Sequence, residues 1–248
     1  MAKILMILSA ADSLSLRDNP IVSGGFCAQE LVEPYHIFME HGHTIDIATP
    51  RGKPAVLDET SLQAQFHNND PGRVLNLREQ LDEIEGWRAP LSIERLAFTN
   101  LEYGALFFPG GYGPLADLAS SSSTGNAIQR IVAGGGLIGA VCHGQAALLP
   151  ARHDGRWLFA GYQLTCFSRA EESAAGFAER LEWLLAERLQ TEGGEMTFGT
   201  PGSSHVVIDR QLYTGQNPAS AGKLAFEMAR SLKKMSALDK AACGTPCD

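Results

Sequence analysis

The chain has 248 residues, enough for one large α/β domain with a well-buried core, and no Pro/Ser-rich linker or charge block divides it. A hydrophobic share of 44% beside 19% charged residues reads as globular. The formal net charge of −8 weighs against nucleic acid or an anionic membrane as partner, because phosphates call for a basic surface.

The first apolar run, Lys3–Leu8, is too short to span a bilayer and has no small-residue cleavage pattern behind it. It reads as a buried first strand and sets the expectation of a cytoplasmic protein. Phe26–His41 follows as a helix with Pro34 inside it as a kink, and Thr44–Ala48 alternates as a second strand. The polar stretch 51–100, with the turn Asn68-Asn69-Asp70-Pro71-Gly72, reads as an insertion with its own short helices, capping the sheet or an entrance. Ala105–Phe108 is a strand running into Pro109-Gly110-Gly111. Leu137–Val141 is another, entered from Gly134-Gly135-Gly136 and ending at Cys142. Arg169–Gln190 carries apolar residues at helical spacing and predicts one amphipathic helix. His205–Ile208 and Gln211–Thr214 are short strands around Asp209-Arg210, and Asn217-Pro218 opens a last helix over Ala219–Lys233. Alternating apolar runs and amphipathic stretches predict a parallel sheet covered by helices on both faces.

Chemistry concentrates where strands end. The order at Cys142 is strand, sharp turn, helix: His143-Gly144 and the apolar run Ala146–Leu149 follow it, as in a nucleophile elbow. A thiol at a helix N-terminus feels the positive end of the helix dipole, which predicts a lowered pKa. Free N–H groups in the same turn can hold an oxyanion. The plainer alternative is that Cys142 is a small core residue. Cys142 and His143, being adjacent, are expected to point apart, unlike a protease dyad bonded in the ground state, and this speaks against peptidase activity. The loop Pro109–Pro114 offers close backbone approach and free N–H groups. A simple turn is the alternative there, and no Gly-Lys-Ser/Thr follows to make it a phosphate loop. Glu30 is either an ordinary carboxylate in the first turn of its helix or, if turned inward toward a thiol, a proton shuttle with a raised pKa. His36, His41, His43, His67 and His153 have no metal-site spacing, so no metal is expected. The five cysteines (27, 142, 166, 243 and 247) do not form a secreted disulfide framework; Cys243 and Cys247 are a redox or metal pair, or incidental thiols in a frayed end.

Ala-Val-Cys-His-Gly (140–144), Phe-Pro-Gly-Gly-Tyr-Gly-Pro-Leu-Ala-Asp-Leu (108–118) and Tyr-Thr-Gly-Gln-Asn-Pro-Ala-Ser (213–220) together resemble the ThiJ/PfpI superfamily. Within it they resemble the branch of heat-shock chaperone-like proteins and glutathione-independent glyoxalase III. The resemblance runs from the first strand to about Lys233. It implies a class I glutamine amidotransferase-like fold: an α/β, flavodoxin-like, doubly wound parallel sheet in three α/β/α layers. A single domain is expected over 1–236, with a small cap insertion at about 51–100 and a tail at 237–248.

Carried residue by residue, the resemblance makes Cys142 the nucleophile, His143 its neighbouring base or acid, and Glu30 the buried acid bonded to the cysteine sulfur. Gly110 and Gly111 would face the substrate oxygen. The third triad acid would follow Thr165-Cys166-Phe167-Ser168, with Glu172 taken ahead of the adjacent Glu171. Cys166 stands where relatives often have glycine, and His205 is assigned to structure. The implied activity is a cofactor-independent conversion of methylglyoxal, or a related 2-oxoaldehyde, to a 2-hydroxy acid such as D-lactate. The alternatives are a stress-responsive holdase chaperone and a hydrolase or deglycase acting on carbon–nitrogen bonds. The expected partners are a small aldehyde and a second copy in a homodimer, with no nucleic acid and no membrane.

Overall fold

In the computed structural model, residues 1–18, 21–96 and 102–243 are described, those from 238 on by backbone alone. Residues 97–101, at the end of the expected insertion, and Cys247 lie outside the described residues, as does the side chain of Cys243.

Strands β1 (Lys3–Ile7), β2 (Thr44–Thr49), β3 (Leu91–Ser92), β4 (Ala105–Phe108), β5 (Leu137–Val141), β6 (Val206–Asp209) and β7 (Leu212–Gly215) form one seven-stranded sheet. Their order is β6-β7-β5-β4-β1-β2-β3, parallel throughout except for β6, which runs antiparallel to β7. Side chains alternate across a strand, and here both faces are covered, so the central strands are apolar without a break. Ile4 and Met6 of β1 enter one core with Phe107, Leu31, Phe38, Leu224 and Met228. Leu5 and Ile7 enter the other with Phe108, Ile138, Ile128 and Ile131.

The helices are α1 (Ala28–Glu40), α2 (Pro71–Asp82), α3 (Ile93–Leu96), α4 (Gly113–Ala116), α5 (Ser122–Ala133), α6 (Arg169–Ala174), α7 (Leu185–Thr191) and α8 (Ala221–Cys243). Helices α1 and α8 lie on the first core and α5 and α7 on the second, giving the expected three-layer, flavodoxin-like α/β/α fold. Polar side chains set the helix starts. Asp70 accepts from Gly72 and Arg73 ahead of α2, Ser121 accepts from Thr124 ahead of α5, and Ser168 with Glu171 forms a capping box at α6.

Three expectations change in detail. The stretch Arg169–Gln190 is not one helix. Gly176, left-handed at φ 79, ends the first piece, and extended Leu184 precedes the second. The residues between still bury Leu181 and Leu184, so periodicity misled where turns deliver the same side chains. The last helix begins at Ala221 after a 3₁₀ turn at Pro218–Ser220 and runs through Cys243, beyond Lys233 and into the expected tail. The 51–100 stretch holds short helical turns and α2, but it also extends the sheet, because β3 pairs with β2.

Gly125 inside α5 shows how closely the layers pack. A Cβ there would sit 2.3 Å from the Pro150 carbonyl oxygen, a backbone atom with little room to move. Glycine to alanine in a helix ordinarily gains about 1 kcal/mol. Gly125→Ala is expected to lose ~1–3 kcal/mol instead, through overpacking. The check is thermal unfolding, with a melting temperature roughly 2–10 °C lower.

Candidate active site

The C-terminal ends of β1, β4 and β5 converge, as sheets of this kind require of a binding crevice. β5 delivers Cys142 in a left-handed conformation (φ 61), strained for a residue with a Cβ. The neighbours hold it there: the Cys142 N–H donates to the Gly215 carbonyl at 2.9 Å, and its own carbonyl accepts from Phe167 N–H at 3.2 Å. A Cβ at Gly144 would lie 2.1 Å from the Phe108 carbonyl oxygen, so the chain leaves the elbow only through glycine. The expected helix after the elbow is a short 3₁₀ run, Gly144–Leu148, and no α-helical dipole lowers the thiol. Burial pushes the Cys142 thiol well above its ordinary value, Glu30 and Cys27 push it further, and the Gly111 amide pulls it partly back.

His143 does not point away from Cys142. Its Nδ1 lies 3.3 Å from Cys142 Sγ, which corrects the expectation of a splayed pair. The reason is conformational. A left-handed residue followed by a right-handed one (His143 φ −89, ψ −1) breaks the alternation of an extended strand, so both side chains enter one crevice. The contact removes the objection to hydrolytic chemistry that rested on splayed side chains.

His143 Nε2 lies 2.6 Å from Glu172 Oε1, and Tyr112 donates its hydroxyl to Glu172 Oε2 at 2.9 Å. The imidazole packs against the rings of Tyr112 and Phe167, at centroid distances of 4.5 and 4.8 Å. The adjacent acid, Glu171, faces elsewhere. It accepts from Ser168, Gly202, Gln216 and Asn217. Burial alone would raise its carboxyl, but these donors outweigh it and hold the group below the usual carboxylate range. The Asn217 segment thus serves Glu171 and the loop at Gly202. His205 meets Thr197 and Ser220, in keeping with a structural place.

Glu30 comes from the first turn of α1 and is fully buried. Its Oε2 accepts the Gly110 N–H at 2.6 Å, while no nitrogen or oxygen pairs with Oε1. The carboxyl lies against the thiols of Cys142 and Cys27. Burial is the main cause that lifts it to about 8, so it carries a proton at neutral pH. The glycine pair therefore divides its work: the Gly110 amide is committed to Glu30, and the Gly111 amide faces the Cys142 sulfur. Gly111 has φ 100, and a Cβ there would stand 2.5 Å from the Gly25 carbonyl oxygen.

Tyr112, Phe167 and Cys27 were not singled out from sequence. The first two lie inside segments that were, but no spacing rule tells which ring meets an imidazole. Among the described residues, no cluster of His, Cys, Asp and Glu has the makings of a metal site. Nor, among them, is any helix long and apolar enough to cross a membrane.

A three-layer α/β/α sheet, a left-handed cysteine at a strand end, a His–Glu line on one side and a protonated acid on the other define a class of cysteine-elbow proteins. The chain belongs to the ThiJ/PfpI family: residues 21–173 match the family described as ThiJ/PfpI family-like. A Staphylococcus aureus relative, protein/nucleic acid deglycase HchA, is 26% identical over 93% of this chain and 81% of its own length. The human glutamine amidotransferase-like class 1 domain-containing protein 1 is 34% identical over 71% of this chain and 74% of its own. Among solved structures, the Rapid Encystment Protein 24 kDa of Francisella tularensis superposes with TM-score 0.78 at 26% identity, covering 94% of this chain and 99% of that one. The glyoxalase III of Candida albicans shares the fold, with TM-score 0.76 at 20% identity over 93% of this chain and 97% of its own.

Glu30 makes a pH prediction. Its carboxyl titrates at about 8 when folded against an ordinary value of 4.5, so the folded chain binds this proton more tightly than the unfolded one. The resulting stability is full below pH 4.5, is lost as pH rises through about 8, and levels off above that. Relative to Glu30→Gln, wild type should lose melting temperature steadily across that window. A constant difference between the two proteins would show that Glu30 does not titrate there.

Proposed function

We propose that the protein is a cofactor-independent enzyme of the glyoxalase III type, turning a 2-oxoaldehyde such as methylglyoxal into the 2-hydroxy acid. The observation that carries this reading is the pairing around one sulfur: a base line, His143–Glu172, on one side and a protonated carboxyl, Glu30, on the other. Isomerising an oxoaldehyde needs a nucleophile, a proton donor that becomes a base, and a way to hold an oxyanion.

A buried neutral thiol must lose its proton as it attacks. His143 Nδ1 is placed to take it, with Nε2–H held by Glu172 so that Nδ1 is the free acceptor. The sulfur adds to the aldehyde carbon, the oxyanion forms beside the Gly111 amide, and Glu30 supplies the proton that completes the hemithioacetal. The Glu30 carboxylate now removes the hydrogen from that carbon while His143 returns the thiol proton to the neighbouring carbonyl oxygen, giving an enediol. Glu30 then protonates the neighbouring carbon and takes the hydroxyl proton of the first, which leaves a thioester on Cys142 and a neutral His143. Water, activated by His143, releases the 2-hydroxy acid and restores the thiol. The Cys142 thiol supplies what glutathione would otherwise provide, and no redox partner enters the balance.

A second reading has support from the relative named as a protein/nucleic acid deglycase. It begins with the same addition to a carbonyl but ends by breaking a carbon–nitrogen bond, a step for which the preformed Cys142–His143 contact supplies an acid. The two readings separate by product. Purified protein is given methylglyoxal without glutathione, and the acid formed is measured; the same protein is given a methylglyoxal–amine adduct, and amine release is measured. Lactate from free methylglyoxal, lost by roughly 10³-fold or more in Cys142→Ser, is the expected result. No lactate from wild type, or full activity in C142S, overturns it.

Tyr112 acts through Glu172 as a positioning residue. Tyr112→Phe keeps the ring against His143 and removes only the hydroxyl bond. One such bond is worth about 1 kcal/mol, so kcat should fall roughly 3–10-fold with little change in KM. An unchanged kcat, or a loss confined to KM, excludes that role.

A further inference from the structure

Cys27 has no part in the chemistry above, yet it sits beside it. It precedes α1 in an extended conformation, its side chain caps no helix bond, and its thiol is free and only 8% exposed. Its N–H donates to the Gly110 carbonyl at 2.9 Å. A Cβ on that same glycine would stand 2.6 Å from the Val141 carbonyl oxygen and 2.7 Å from the His143 nitrogen, the atoms on either side of Cys142. One glycine therefore touches the main chain at both cysteines. Their side chains converge on the Glu30 carboxyl, whose buried Oε1 has no nitrogen or oxygen partner. The third buried thiol, Cys166, is directed instead to the Phe167 carbonyl at 3.4 Å.

We propose that Cys27 is a resolving thiol for Cys142: a hydroperoxide oxidises Cys142 to the sulfenic acid, and Cys27 closes on it as a disulfide that an external dithiol reopens. The proposal rests on Cys142 being a nucleophile, as in the functional reading above. The Cys142 sulfur attacks the terminal peroxide oxygen, the O–O bond breaks, and the alcohol or water leaves with the thiol proton, passed through His143. As the Cys27 sulfur attacks the Cys142 sulfur, the S–O bond breaks; Glu30 gives its own carboxyl proton to the departing hydroxide, which leaves as water, and takes the Cys27 proton in exchange, ending protonated as it began. Two thiols give two electrons, and the peroxide takes both. Closing the bond brings the two Cβ atoms to about 4 Å. Cys27 lies at a helix end, and its side chain gives up no capping bond on turning toward Cys142.

While closed, the disulfide holds the nucleophile out of reach of carbonyl substrates and of further oxygen. A bare Cys142 would pass from sulfenic to sulfinic acid, which dithiols do not reduce. The arrangement converts an irreversible loss into a reversible one.

The test uses the full chain with Cys243→Ser and Cys247→Ser, so that the C-terminal thiols do not compete. It is treated with hydrogen peroxide at two or more equivalents per chain, alkylated and digested without reduction. The expected finding is a linked Cys27–Cys142 peptide, about 2 Da lighter than its reduced halves. In Cys27→Ser and Cys27→Ala, Cys142 should instead gain about 32 Da as sulfinic acid. Dithiothreitol should restore the parent protein to its untreated activity and leave the Cys27 variants inactive. The absence of the linked peptide, with sulfinic acid forming equally fast with and without Cys27, overturns the proposal. So does a link to Cys166. Because the link is read by mass, it is independent of the aldehyde assay: a link without lactate production would remove the functional reading alone, and lactate production without a link would remove only this inference.

Discussion

The site depends on a close approach of backbones. At the end of β5 the chain turns through a left-handed cysteine and passes so near the Phe108 carbonyl that residue 144 has no space for a Cβ. Cys142 has a strained conformation because it is gripped on both its N–H and its carbonyl by Gly215 and Phe167. That grip brings β7 and the loop before α6 into the same place. The His–Glu line follows from it, since Phe167 lies one residue from the Ser168 cap that starts α6 and so positions Glu172. Loosening the elbow would separate Cys142, His143 and Glu172 without altering any of their side chains.

Two buried acids flank the sulfur and differ in their donors. Glu30 has one strong donor, the Gly110 amide, in an otherwise apolar setting, and desolvation keeps its proton on. Glu172 is met by an imidazole and a phenol. The two carboxyls thus differ in what meets them and not in chemical type. The glycine loop serves both the acid and the sulfur, one amide to each.

The location of the site could be read from the chain because strand ends are local features. Apolar runs mark β4 and β5, and the glycines and Cys142 follow directly. Glu30 and Glu172 came from resemblance, not spacing; they reach the site from 112 and 30 residues away, through packing that no periodicity encodes. What misled had specific causes. The thiol was expected to be lowered by a helix dipole, but the turn continues as 3₁₀ and burial dominates. The Cys142–His143 contact was missed because strand alternation was carried one residue too far, past a left-handed φ. Gly176 split an apparent helix because hydrophobic periodicity is blind to a turn that buries the same leucines.

The raised thiol gives the resting site its character. A cysteine held as thiolate reacts with whatever electrophile reaches it, whereas the Cys142 sulfur is buried and its thiol is raised, so that it reacts only as its proton is taken. In the proposed reaction its activation requires an acceptor for the proton and a place for the resulting negative charge, which His143 and a carbonyl lying between Gly111 and Glu30 would provide. The His143 contact makes the proton transfer short, and the protonated carboxyl makes charge on the adding oxygen tolerable. On that proposal, burial, which would disable a free-standing cysteine, couples ionisation to the arrival of a reaction partner. A neutral Glu30 fits it: a second negative charge beside the sulfur would oppose the thiolate at the moment it forms.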